Sequence, residues 1–381
     1  MSMKIQSTFI PKSETMDKMS SMKDLKVVHI SPTYFKYLIG GGERYPWELT
    51  KALSKYVNVT LIVFGRNRRT ERISETLTVE NYPAITSPPP LFTKTNPFPL
   101  TLSFLKEINK ADIVHLHQFN TLISNLVIFY ARLKNKIICV TDHGGGYFKL
   151  SNIFPIIGKS IDLYMLVSHF SYKKFARYKD NYQVIYGGVD ISKFHPLGIE
   201  KENKVLFVGK ILRVKGIDNL IKSVQGLDTK LHIDAKLRDK KYLKLLMNLD
   251  RGNRAIFNFN ATDKELINDY NSALVTVLPS LSEIFPLVVL ESMACGTPVI
   301  CTDAGGMPEI VEDGANGFIV PPNDPKSLEE KIKYFIASPD ESKRMGDNAR
   351  KKMVADFTWD AVARRCLEGY SELLNKDNKE G

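Results

Sequence analysis

The sequence predicts an α/β protein of two doubly wound, Rossmann-like domains facing across an interdomain cleft, on three grounds. The chain has 381 residues, and a single hydrophobic core rarely grows past about 250–300. Short β-rich runs alternate with helical patterns in both halves, as in parallel sheets covered by helices. A polar stretch over 188–203, containing Pro196 and Gly198, separates the two series. These features set a leader over 1–25, a first domain over 26–190 and a second over 191–357.

Taken in order, the β-rich runs of the first half are 26–31 (KVVHIS), 57–64, 112–117 (DIVHLH), 136–142, 163–168 and 182–189. Several are apolar along nearly their whole length, which suits parallel strands buried on both faces. Between the first two, Tyr45, Leu49, Ala52, Leu53 and Tyr56 fall on one helical face, completing a βαβ unit. The second half repeats the pattern with 204–209, 230–235, 255–259, 273–278 and 298–303. A helix carrying Ile217, Leu220, Ile221 and Val224 follows its first strand.

Composition narrows the class further. Hydrophobic residues make up 43% and charged residues 25%, so collagen-like and largely disordered chains are excluded. Residues 1–190 hold 25 Lys and Arg against 14 Asp and Glu, whereas 191–381 hold 28 of each. The excess positive charge of the first half points to an anionic partner there, whether nucleic acid, phospholipid or phosphorylated acceptor. Four cysteines without metal spacing read as free thiols in a reducing cytosol. The longest apolar run is Leu126 to Ala131, far short of the roughly 18–20 residues of a membrane span. The Met- and Ser-rich start lacks the apolar core of a signal peptide and reads as a flexible leader.

Ligands of open α/β sheets bind beyond the carboxyl ends of the strands, so residues there carry the chemistry. After the first strand comes GGGER (40–44), whose glycines let backbone N–H groups approach an anion at a helix start, or simply make a turn. The turn VGKILRVKG (208–216) places Lys210, Arg213 and Lys215 where they could hold a diphosphate, or form a solvated basic loop. Within PSLSEIFPLVVLESMACGTPVICTDAGGMPEIV (279–311), Glu283 precedes a helix that carries Glu291. N–H groups near Leu287 and Val288 would form the positive end of that helix, suited to phosphate. Two carboxylates flanking such a site can accept hydrogen bonds from sugar hydroxyls, although a core helix with exposed glutamates has the same spacing.

The segment 279–311 resembles the signature of retaining, nucleotide-sugar-dependent glycosyltransferases of family four, which have the GT-B fold: E-x7-E, then ACGTPV, then GG-x-PEIV. The similarity runs from about Lys26 to the C-terminus through GGGER, ADIVHLH (111–117), TDHG (141–144), VIYGGVDISKFHP (184–196), VGKILRVKG and NGFIVPPNDPKSL (316–328). It implies that a terminal helix, 358–375, packs back on the first domain. Residue by residue, it implies that Glu291 binds the ribose and Glu283 the donor sugar near the reacting carbon. Lys215 and Lys210 would neutralise the leaving diphosphate, Gly41 and Gly42 would let the first-domain loop approach it, and His117 would hydrogen-bond the donor sugar. His115, two residues earlier on the same strand face, reads as a packing histidine, and His143 as an acceptor-side residue.

Three departures modify this. Lys210 stands where the family usually has Arg, and an ammonium cannot make the bidentate fork of a guanidinium, so Lys210 acts alone or Arg213 substitutes. Ile284 replaces the usual Gly after the first Glu, and DAKLRD (234–239) replaces a glycine turn. Donor sugar and base therefore do not carry over from the family.

The resemblance implies a hexosyl transfer with retention, in which the departing diphosphate helps deprotonate the acceptor hydroxyl while the protein supplies position and charge. No Asp-x-Asp is present, so neither a metal nor a cofactor is expected beyond the nucleotide-sugar, of UDP type. The segments 147–159 and 170–179 interleave aromatics with Lys and Arg, which suits either a core or the surface of an anionic membrane. The expected acceptor is accordingly a glycan or polyprenyl-linked saccharide in glycan biosynthesis, met in the cytoplasm or peripherally at the inner face of the membrane. The alternatives are a GT-B sugar-nucleotide epimerase, and a basic nucleic-acid- or membrane-binding protein without catalysis; no nucleic-acid-binding motif accompanies the charge, so nucleic acid is not expected as a partner.

Overall fold

In the computed structural model, the described residues are 22–32, 41–85, 98–118, 121–143, 158–175, 181–252, 254–259 and 261–380. The chain divides into two compact units, Met1–Tyr164 with Ala363–Gly381, and Met165–Val362.

Among the described residues, the first sheet contains β1 (Lys26–Ile30), β2 (Asn58–Gly65), β3 (Arg69–Arg72), β4 (Leu77–Ile85), β5 (Phe98–Pro99), β6 (Ile113–His117), β7 (Ile137–Asp142), β8 (Leu163–Leu166) and β9 (Tyr182–Val184). Its order is β3-β4-β2-β1-β6-β7-β8-β9, with β5 paired to β4. β1 lies parallel to both β2 and β6, in a register that sets His29 beside His115. The helix Gly41–Leu53 buries Tyr45, Leu49, Ala52 and Leu53, as its periodicity predicts, and Tyr56 falls just past its end. Gly41 and Gly42 stand in the first turn of this helix rather than in a loop before it.

Strands β3, β4 and β5 were not predicted. β3 has the sequence RTER, is largely exposed and pairs antiparallel with β4. β4 alternates buried and half-buried residues and contains Pro83, a pattern unlike that of a strand covered on both faces.

The second sheet comprises β10 (Glu202–Ile211), β11 (Lys230–Leu237), β12 (Ala255–Asn258), β13 (Ala273–Leu278), β14 (Val299–Thr302) and β15 (Gly317–Val320). Its order is β12-β11-β10-β13-β14-β15, and every recorded pairing is parallel. All six residues of β13 are buried. The helix Ile217–Val224 buries Ile217, Leu220, Ile221 and Val224 completely or nearly so, each worth roughly 1.5–3 kcal/mol of hydrophobic stabilisation. β15 lies within NGFIVPP, a run too short to announce a strand.

The division falls within β8, earlier than the 190/191 boundary read from the sequence. Residues of the second unit hold the intervening segment. Ile185 N–H donates to Leu166 O at 2.9 Å and Val189 N–H to Phe357 O at 2.8 Å. Both Glu309 oxygens accept from the helix start at His169 and Phe170, at 2.8 and 3.0 Å. The terminal helix, Trp359–Glu380, begins in the second unit and passes into the first at Ala363.

The four cysteines are buried and none is in a disulfide. No helix among the described residues is long and apolar enough to cross a membrane. The 147–159 segment lies mostly outside the described residues, as does the end of 170–179.

Candidate active site

In the second unit, four chain segments meet at the carboxyl ends of β10, β13 and β14. The turn after β10 ends in Gly216, at φ 62°, and a Cβ there would collide with the Pro279 carbonyl. Only a glycine permits that approach. Leu281 N–H then donates to Val214 O at 2.8 Å, joining this turn to the loop after β13. Gly305, at φ 86°, packs on the Glu283 carbonyl and Gly306 on that of Ile284, again with no room for a Cβ. Gly306 N–H donates to Glu283 O at 3.2 Å. The GG of the GGMPEI segment thus fixes the backbone of Glu283.

Lys215 and Glu283 form an ion pair, with side chains only 18% and 13% exposed. Ser280 Oγ also donates to Glu283 at 3.3 Å. The sequence placed these two residues on different parts of a donor; the structure joins them to each other. Lys210 lies half-buried one residue from the end of β10, in register with Lys236. Arg213 lies with its guanidinium 5.2 Å from the Tyr242 ring centroid, a cation–π arrangement.

The helix Leu287–Ala294 starts after Pro286 with no side-chain cap, so Leu287 and Val288 lie at the positive end of its dipole. Ser292 Oγ ties the helix to Thr276 of β13 at 2.8 Å, and Arg350 donates to Ala294 O at its far end at 2.8 Å. Glu291, just over one turn in, is 5% exposed and accepts from Tyr270 Oη at 3.1 Å.

The first unit holds a second cluster. His117 closes β6 and is buried, with both ring nitrogens paired. Its Nε2 lies 2.9 Å from His29 Nδ1, and its Nδ1 lies 3.4 Å from His143 Nε2. His115 is completely buried, 2.5 Å from Tyr370 Oη and 2.8 Å from Thr141 Oγ1. Tyr370 Oη in turn lies 3.3 Å from His29 Nε2. Burial holds all four imidazoles well below their ordinary range, His29 and His143 at about 3, so all are neutral at pH 7. A Cβ at Gly42 would make an ordinary 3.9 Å contact with His143. Among the described residues, no group of three or more His, Cys, Asp or Glu is arranged to hold a metal ion.

His117 has histidine neighbours at both of its nitrogens, whereas His143 is partly exposed. Sequence reading missed His29, Tyr370 and Gln118. A signal existed for His29, since parallel β1 and β6 with one His each in phase put both on one face. For Tyr370 the sequence marked only its helix, expected to pack on the first domain, and not the side chain's histidine partners. Gln118 adopts φ 89°, costly for a residue with a side chain, directly after His117, and its buried Oε1 lacks a hydrogen-bond partner.

Two parallel-sheet α/β units, one of which gathers glycine turns, lysine and a helix start at its strand ends, define a GT-B protein. Residues 39–193 match Glycosyltransferase Family 4, and residues 190–352 match Glycosyl transferases group 1. An uncharacterized glycosyltransferase of Methanocaldococcus jannaschii is 32% identical over 255 residues, 64% of this chain and 71% of that protein. The chain belongs to the family-four glycosyltransferases. A D-inositol 3-phosphate glycosyltransferase of Streptomyces bingchenggensis is 30% identical over 220 residues, 50% of this chain and 48% of its own length. The chain thus spans about half the length of the first curated relatives it matches. Among solved structures, sucrose-phosphate synthase from Thermosynechococcus elongatus has a TM-score of 0.75 at 21% identity, covering 92% of this chain and 100% of that one. HepE of Anabaena in complex with UDP and glucose has a TM-score of 0.73 at 18% identity, covering 91% and 100%. At such identities the likeness is one of fold.

Proposed function

We propose that the chain transfers a hexosyl group from a nucleotide-sugar of UDP type to an acceptor hydroxyl, with retention of anomeric configuration. The observation that carries this reading is the Lys215–Glu283 pair, held by Gly216, Gly305 and Gly306 in the loop that leads into an uncapped helix start. An ammonium and a helix N-terminus in one place suit a diphosphate. That the neighbour HepE is described with UDP and glucose supports the choice of base.

On donor binding, Lys215 exchanges Glu283 for the diphosphate, and Glu283 becomes an acceptor for sugar hydroxyls. Lys210 adds a second cation, and the first-turn N–H groups of Leu287 and Val288 receive phosphate oxygens. Glu291, held by Tyr270, accepts from the ribose. The C–O bond to the diphosphate breaks as the acceptor oxygen attacks on the same face, and the acceptor proton passes to the departing diphosphate. Charge grows on that group in the transition state, so the lysines act there most strongly. The reaction needs no metal.

The acceptor is a glycan or polyprenyl-linked saccharide, met in the cytoplasm or peripherally at the inner membrane face. The positive excess of the first half, 25 basic against 14 acidic residues over 1–190, supports an anionic acceptor or surface.

Incubating UDP-, GDP- and ADP-hexoses with polyprenyl-phosphate saccharides in EDTA tests the reading, with proton NMR of the product's anomeric coupling. Acceptor-dependent release of one nucleoside diphosphate with the donor's configuration is expected. Conversion of donor without any acceptor would replace the transferase by an epimerase.

A further inference from the structure

The helix Leu122–Leu133 starts after Thr121, whose side chain accepts from Ser124 N–H at 3.0 Å, and buries Ile123, Val127, Ile128 and Ala131. A surface helix ordinarily turns polar or charged residues away from such a face. Here the reverse side carries Leu122, Leu126, Phe129 and Leu133, at i, i+4, i+7 and i+11, so the helix is apolar on both sides. Leu122 and Leu126 are half-buried, whereas Phe129 and Leu133 are 66% and 64% exposed. β5 lies against this helix, and the chain leaving β5 carries Leu100 and Leu102, also more than half exposed, next to the exposed Phe98. Tyr130 Oη donates to Asn109 Oδ1 at 3.0 Å and so ties the helix to the short helix Leu105–Lys110 that follows Leu102. Four of the five most exposed large apolar side chains among the described residues thus gather on one side of the first unit. Scattered apolar side chains need no explanation, but a gathering of this kind marks an interaction surface.

The rim of this surface is basic. Residues 98–136 hold five Lys and Arg against two Asp and Glu. Arg132 is paired with Asp162 and Lys110 with Glu107. Lys106 and Lys134 stand outside those pairs and are exposed, with Lys134 Nζ 5.9 Å from the Tyr130 ring centroid. That charge selects the occupant. A second copy docked about a two-fold axis would set the basic rim against its own image, and like charges repel. A lipid surface with anionic headgroups takes both features together. Apolar side chains enter the boundary between headgroups and acyl chains, while lysine stems lie along it and their ammonium groups reach phosphate.

We propose that the face formed by Phe98, Leu100, Leu102, Phe129 and Leu133 is where this chain lies on an anionic lipid surface, with Lys106 and Lys134 at the headgroup phosphates. The proposal deepens the membrane part of the reading above, on which it rests, and makes no use of the donor site. It sets the contact on β5 and the helix after β6, apart from 147–159 and 170–179, the segments whose mixed aromatic and basic sequence suggested one. Such a contact holds the chain in the plane in which a lipid-linked acceptor diffuses.

Flotation of the full chain with vesicles of phosphatidylcholine, alone or mixed with phosphatidylglycerol, at low and high salt tests this. Wild type floats with the mixed vesicles at low salt and not with phosphatidylcholine alone. The double variant Phe129→Ser, Leu133→Ser lowers the partition coefficient at least about tenfold, and Lys106→Gln or Lys134→Gln about fivefold each at low salt. All of these side chains are exposed, so the variants keep the urea midpoint of wild type. Met247→Ser, which alters a comparably exposed side chain of the second unit, keeps its flotation. Flotation unchanged in the double variant overturns the proposal. So does a dimer seen by light scattering without lipid and abolished in that variant, which would give the face to a second copy. A wild-type monomer that stays unbound overturns it too, and would leave the face to an acidic protein. Transfer to a water-soluble acceptor should be equal in wild type and the double variant. Flotation as expected without transfer to any acceptor would overturn the transferase reading alone, and transfer without flotation this proposal alone.

Discussion

The two units solve the problem of buried polarity in opposite ways. The second keeps charge: Lys215 with Glu283, and Lys204, which donates to Asp269 at 2.8 Å and to Ser272 at 2.5 Å. The first gathers four imidazoles and a phenol and keeps them neutral, because burial removes the protonated form. Charge on short loops can change partners when an anionic ligand arrives. A neutral network in the core has no charge to exchange.

Acidification should separate the two most strongly. Each of the four imidazoles has a folded value far below its ordinary one, so below about pH 6.5 the unfolded chain binds more protons and stability falls with pH. Each contributes up to about 1.4 kcal/mol per pH unit. Amide protection factors in β1, β6 and β7 should fall sharply between pH 7.5 and 5.5, whereas those in β13 and β14 should change much less.

Removing charge from the second unit should act on turnover. Lys215→Ala is expected to lower kcat about 100- to 1000-fold, about 3–4 kcal/mol of transition-state stabilisation, in the nucleoside diphosphate release assay. Glu283→Gln, which retains a hydrogen-bonding side chain, should cost less. Equal losses in the two variants would show that the pair acts as a structural unit.

The loop that carries Glu283 can be broken without touching its side chain. Gly305→Ala meets both a positive φ and the Glu283 carbonyl, and should destabilise the second unit by about 2–3 kcal/mol, read as a lower urea midpoint. Gly226→Ala, with nothing within 4 Å of the added Cβ, is the matched control and should stay near wild type.

The smallest effect has the opposite sign to that of the histidines. Asp234, 5% exposed and beside Asp269, has its carboxyl raised to about 7 by burial and by that second carboxylate. Between about pH 4 and 7 the folded chain therefore holds a proton that the unfolded chain releases, and this contribution is lost as pH rises through 7. Asp234→Asn should raise Tm at pH 8 relative to pH 5 by about 2–4 °C more than wild type changes, for roughly 1 kcal/mol after screening.

This division also explains what could be read in advance. The second-unit site was legible because Gly216, Glu283, Gly305 and the helix start belong to short segments whose residue types state their chemistry: glycine where backbones touch, lysine and glutamate where charge is needed. The partner of each charge was not legible, since Lys215 and Glu283 are 68 residues apart and meet only through tertiary folding. Strong apolar runs placed β1, β6, β10 and β13. The edge strand β3 and its neighbour β4 escaped, because a half-exposed strand reads as polar sequence. In the first unit His117 and His143 were visible at strand ends, but what each ring nitrogen touches depends on His29 and on Tyr370, brought in by a helix from the far end of the chain.

The most direct test of the central claim is calorimetric titration of the protein with UDP, GDP and ADP, repeated with Lys215→Ala, Glu291→Ala and His143→Gln. One nucleotide should bind wild type and His143→Gln alike and lose at least tenfold in affinity with each of the other two, about 1.4 kcal/mol. Binding that is unchanged in Lys215→Ala and Glu291→Ala, or lost in His143→Gln alone, would contradict the assignment of the diphosphate to the second unit.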